Sequence, residues 1–192
     1  MGLTSRCSAL STTSATAARC KTESQCSILL SDQLGLSGAM YLISIILLLL
    51  VLPAGSVAIE ALIRGGGFDI VGLVGKWFAF WGVGMRLFLA GIRQTLRPQF
   101  TAEDIFALKD PAVHPLVREI GFGNLAMGAL GLLSLAFVGL VVPAAIVGGL
   151  YYGLAGLGHL VRGHRNAAGQ IAMISDFLML ALLAIFVALR GP

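Results

Sequence analysis

A chain of 192 residues that is 57% hydrophobic and 11% charged has too few polar side chains to cover a soluble globule. That excludes a water-soluble domain and points to a protein of several membrane spans, with the lipid bilayer as its first partner. The net charge is +4, but the Lys and Arg residues sit at the ends of apolar runs. This is the pattern of membrane topology, so no nucleic-acid partner is expected.

Residues 1–39 stand apart from the rest. They are rich in Ser, Thr and Ala, carry Arg6, Arg19 and Lys21 before the first acid at Glu23, and contain no apolar core of a secretory signal. Gly2 is a poor acylation site because Arg6 stands where Ser or Thr is required. Three readings stay open: a disordered tail, a transit-like leader, or a start assigned too early, with Met40 as the true first residue. Cys7, Cys20 and Cys26 form no CxxC pair and lie beside no His, so neither a structural zinc nor a disulfide is expected.

From residue 40 to 192 the chain reads as an all-α integral membrane bundle. A helix needs about 20 apolar residues to cross the hydrocarbon. Five runs qualify: approximately 41–63, 70–92, 119–142, 144–161 and 171–190. Pro143, in VVPAA, is the only punctuation between the third and fourth, and predicts a tight hairpin there. One side of the array carries Arg93, Arg97, Lys109, Arg118, Arg162 and Arg165, and the other only Arg64 and Arg190. That asymmetry predicts a cytoplasmic amino terminus and an external carboxyl terminus.

The polar loop after the second span holds Thr101 followed by Glu103 and Asp104, the pattern of a helix N-cap with acids in the first turn. A short amphipathic helix and a plain solvated connector between Pro98 and Pro111 both fit. His114 reads as an exposed loop residue.

Charged residues inside the spans need partners, since an isolated charge there costs about 2.5–3.5 kcal/mol even on the gentler insertion scale. Lys76 lies about 9 Å inside the outer end of the second span, and Glu60 lies near the outer end of the first. They are predicted to pair, with snorkelling to headgroups as the alternative. Arg86 lies about two turns inside Arg93. At comparable depth stand Glu119 and Asn124 in the third span, His159 in the fourth and Asp176 in the fifth.

Helical phase sorts these residues. Gly121, Asn124, Gly128 and Gly131 form one stripe, so Asn124 faces protein. Gly148, Tyr152, Ala155 and His159 form another, beside a second stripe of Gly149, Gly153 and Gly156. Asp176, Leu180, Leu183 and Val187 align on the fifth span. Glu119 is off the glycine stripe. The expected result is a polar pocket in the cytoplasmic half, roofed by Trp77, Trp81, Tyr151 or Tyr152, or else a structural Arg86–Asp176 ion pair.

No catalytic motif is present: G-x-S-x-G, a P-loop, H-E-x-x-H and a dinucleotide fingerprint are all missing. His159 and His164, five apart, are badly placed to share a metal.

The blocks FWGVGMRLFLAGIRQ, PQFTAEDIF, REIGFGNLAMGALGLLS, GGLYYGLAGLGHL and AMISD resemble a family of small bacterial multi-pass membrane proteins known as a domain of unknown function, over roughly residues 70 to 180. More distantly, spans two to five resemble the four-helix DoxX-like proteins. The resemblance implies a bacterial inner membrane, and for the wider group a link to quinones and membrane redox complexes, but no catalytic residue. Three functions are therefore expected to compete. The first is an accessory subunit binding a hydrophobic molecule such as a quinone through Arg86, His159 and Asp176, with a redox partner or self-association. The second is a proton-coupled transporter or exporter using Asp176 and His159. The third is a packing protein whose buried charges are structural.

Overall fold

The computed structural model describes residues 39–162 and 167–190. The leader with its three cysteines, His164 and Arg165 lie outside them. Five helices are long and apolar enough to cross a membrane: Ala39–Arg64, Ile70–Leu96, Pro111–Leu133, Val138–Arg162 and Ala167–Arg190. The described residues contain no strand, so the architecture is an all-α bundle.

The first span contains a π-helical stretch, Leu47–Val51, that ends two residues before Pro53. Proline has no N–H to give to the preceding turn, and widening that turn accommodates the ring. The span stops at Gly65, whose φ of 67° is the left-handed conformation that lets the last turn close. Asp69 then opens the second span by accepting a hydrogen bond from the Gly72 amide, and its other oxygen meets Arg190 Nη1 at 2.9 Å. This ties the start of the second span to the end of the fifth.

Glycine sets the close crossing of the second and third spans. A Cβ at Gly84 would stand 2.7 Å from the Leu132 nitrogen, and one at Gly91 2.8 Å from the Gly121 carbonyl oxygen, so the second and third spans meet backbone to backbone. The two stripes of the fourth span face different neighbours. Gly149, Gly153 and Gly156 lie against Leu183, Leu180 and Phe177 of the fifth span, whereas Gly148 lies against Val83 of the second. The core between them gathers Leu49, Val83, Ala144, Tyr152, Met179 and Leu183. The first span leans on this core through Ile45 and Leu49 and leaves most of its other large apolar side chains exposed.

The third span and the turn that follows it differ from the sequence expectation. The third span runs Pro111–Leu133 rather than 119–142, and the chain reverses at 134–137, not at Pro143. Pro143 lies in the first turn of the fourth span, where its missing N–H would have no helical partner in any case. Ser134 makes the reversal possible, its hydroxyl donating to the Gly131 carbonyl at 2.7 Å.

The polar loop contains a short helical segment, Phe100–Ile105, but Thr101 is buried within it and does not cap it. Helical residues begin already at Pro98, the position proline favours. Pro111, the other expected boundary, likewise opens a helix. His114 is half-buried at the start of the third-span helix, and its Nε2 is buried without a partner among the described residues.

Candidate functional site

Arg86 is the first residue after a second π-helical stretch, Ala79–Met85, which contains Gly82 and Gly84. The wide turn loosens the regular ladder, and the Gly82 carbonyl accepts a hydrogen bond from the Tyr152 hydroxyl. That bond holds the Tyr152 ring under the guanidinium, whose carbon lies 4.6 Å from the ring centroid. Arg86 Nη2 donates to Asp176 Oδ1 and to Ser175 Oγ, both at 2.8 Å. Ser175 in turn donates to the Ala172 carbonyl. Arg86 is only 8% exposed, yet its Nη1 has no hydrogen-bond partner among the described residues.

On the third span Asn124, 2% exposed, donates through Nδ2 to Gln94 Oε1 at 2.7 Å. Its Oδ1 is buried without a partner. A spare donor and a spare acceptor therefore sit on neighbouring spans, each of a kind that costs about 1–3 kcal/mol when left unsatisfied.

Both residues line one cavity of about 750 Å³ between the first span and the other four. Its inner wall adds Tyr41, Tyr151, Tyr152, His159 and Asp176, while Ile45, Leu48, Leu87 and Leu154 make much of the rest apolar. At the Arg93 end the loop covers it. Phe100 lies under Arg93, 4.0 Å from guanidinium carbon to ring centroid, and Phe106 lies 4.5 Å from Arg162 and 5.9 Å from the His159 ring. On its side the cavity is bordered by Met40 and Leu154, which are 67% and 70% exposed, so it opens toward the region that lipid would occupy.

The structure thus brings Arg86, Asn124, His159 and Asp176 to one cavity. It does not bring Glu119, which is exposed on the outside of the third span, off the stripe that meets the second. Trp77 and Trp81 also lie elsewhere than the expected roof. Trp77 Nε1 donates to Glu60 Oε2 at 2.7 Å and Trp81 Nε1 to Ser56 Oγ at 3.0 Å, both toward the opposite end of the bundle. There Glu60 accepts from Lys76 Nζ at 2.6 Å through Oε1, and from Arg64 one turn on. Glu60 and Lys76 are thus an ion pair with two further donors.

Sequence reasoning missed Ser175, Gln94 and Tyr41. Ser175 precedes Asp176 on the inward side of the fifth span, where burial passes through Ala172, Ser175, Asp176, Met179, Leu183 and Phe186; Leu180 and Val187 are only half-buried. A stripe allowed to widen by one residue would have included it. Among the described residues no group of three His, Cys, Asp or Glu is placed to hold a metal.

No curated protein and no solved structure matches the chain. A family profile does, over residues 39–191, that of a family of unknown function designated DUF6790. The five spans and the whole cavity fall inside the matched region, and the chain belongs to that family.

Proposed function

We propose that the protein is a non-catalytic accessory subunit of a membrane complex that holds one lipid-soluble molecule by its polar head in the cavity between the first span and the other four. One observation carries this reading: Arg86 and Asn124, which both line the cavity, each hold a buried polar atom, Nη1 and Oδ1, that has no hydrogen-bond partner among the described residues. Its volume of about 750 Å³ lies within the range of small-molecule sites, and its largely apolar wall suits a hydrophobic body. The side opening gives such a molecule a route from the bilayer. A quinone is the candidate that the DoxX-like resemblance of spans two to five brings in, and a membrane redox complex is the corresponding partner. In this reading the protein sits in a bacterial inner membrane with the cavity mouth in the cytoplasmic half. The cations Arg93, Arg97, Lys109, Arg118 and Arg162 support that orientation.

The test is extraction and mass spectrometry of small molecules from protein purified in a mild detergent. Two variants accompany the native chain: Asn124→Leu, and Arg86→Ala combined with Asp176→Ala so that no unpaired carboxylate is left behind. The reading expects one lipid-soluble molecule per chain in the native protein, lost from both variants while their helical circular dichroism is kept. Undiminished retention in both would remove the assignment.

A further inference from the structure

The charges around the cavity are unequal. Arg86, Arg93 and Arg162 all line it, with His159 beside them, whereas Asp176 is the only carboxylate in the wall among the described residues. Asp104, on the covering loop, is close enough to Arg93 to feel its charge and offsets part of the excess. The Arg86 bonds to Ser175 and Asp176 both leave from Nη2, and the Tyr41 and Tyr152 hydroxyls stand near the guanidinium, but Nη1 has no hydrogen-bond partner among the described residues. A guanidinium carries donors on both terminal nitrogens and can serve two acids at once. The buried Nη1 is therefore a donor awaiting an acceptor, on a residue that lines a cavity whose wall has more positive charge than negative among the described residues.

We propose, resting on the reading above that the cavity holds a lipid-soluble molecule by its head, that this head is a carboxylate and the occupant a single-chain fatty acid. The carboxylate lies on the Arg86 side of the wall, facing the cations of the loop-covered end, where Arg93 and Arg162 are held against Phe100 and Phe106. One oxygen takes the Arg86 donor as a charge-assisted hydrogen bond, the stronger kind. The hydrocarbon chain leaves by the side opening, past Leu89 and Leu154, which are exposed apolar residues of the wall. A carboxylate answers the cationic surplus, which a neutral head does not, and it accepts from the unused guanidinium N–H more strongly than a neutral oxygen would; having no proton, it leaves the Asn124 Oδ1 acceptor unserved.

The experiment is a binding titration by native mass spectrometry of the full chain in phosphatidylcholine nanodiscs, with empty nanodiscs as the reference for partitioning. The probes are oleate, oleyl alcohol, lysophosphatidylglycerol and decylubiquinone. Oleate is expected to bind one per chain and about tenfold more tightly than oleyl alcohol, as befits loss of a charged hydrogen bond. Arg93→Gln and Arg162→Gln, neither of which touches the Arg86–Asp176 pair, should each weaken oleate and leave oleyl alcohol unchanged. Oleyl alcohol or decylubiquinone binding as tightly as oleate would overturn the acid head while leaving the head-binding cavity standing. Lysophosphatidylglycerol binding more tightly than oleate would replace the carboxylate by a phosphate. Binding of no probe beyond the empty-nanodisc level would end both readings.

Discussion

Arg86 occupies a low-dielectric position through three neighbours of different kinds: the Asp176 carboxylate, the Ser175 hydroxyl and the Tyr152 ring. Removing one member of a buried ion pair leaves the other uncompensated, at a cost of about 3–5 kcal/mol. Arg86→Ala and Asp176→Ala should each destabilise by that order, and the double variant should lose clearly less than the two losses combined. Unfolding in mixed micelles by added dodecyl sulfate measures this, and additive losses would speak against direct pairing. Tyr152→Phe keeps the ring under Arg86 and removes the hydroxyl that bonds the Gly82 carbonyl, so a loss on the order of 1 kcal/mol is expected from that variant. Arg86 and Asp176 were legible in the sequence because opposite charges at one depth have few other options. Ser175 and Gln94 were not, since a polar residue of moderate size can face protein, water or its own helix backbone equally well.

At the scale of the helices, the third span offers an internal control. Gly131 abuts the backbone of Gly84, whereas Gly123, on the same helix, has nothing within 4 Å of where a Cβ would stand. Gly131→Ala should push the second and third spans apart and cost about 1–3 kcal/mol, while Gly123→Ala should be neutral or mildly stabilising. Equal effects in the same unfolding assay would contradict the close crossing. The short helix Phe100–Ile105 makes a prediction about pH. Partial burial and the neighbouring Glu103 raise the Asp104 carboxyl above its ordinary 3.8, with Arg93 opposing them. Folded chains then hold that proton more tightly than unfolded ones, so this contribution to stability falls as pH rises from the ordinary value through the raised one. Hydrogen exchange at the amides of 102–106, corrected for intrinsic rates, should show protection declining over that window, and Asp104→Asn should flatten the decline. The existence of five spans was readable from length and hydropathy alone, but the reversal at 134–137 was not. Pro143 looked like the only break, and a proline is equally at home in the first turn of a helix.

For the whole molecule, the sequence could state which faces of spans two to five meet, because glycine stripes at helical spacing mark close approach. It could not state that the first span stands off far enough to leave a cavity of about 750 Å³. That separation depends on how Ile45 and Leu49 seat against the core and how the loop folds over the end, neither of which leaves a periodic signal. Orientation is testable independently of the cavity. In a background with the three leader cysteines changed to serine, Lys109→Cys should resist an impermeant maleimide in intact cells, and Gly66→Cys should react. The reverse pattern would put the cavity mouth on the outer side. The most direct test of the cavity itself is photo-crosslinking in nanodiscs with a lipid-soluble diazirine probe that carries a polar head, followed by peptide mapping. Labelling is expected to concentrate at Tyr41, Tyr151 and Leu154, to be competed away by unlabelled ligand and to be lost in Asn124→Leu. Labelling spread evenly over outward residues such as Leu135 and Ile185, with no competition, would contradict the cavity.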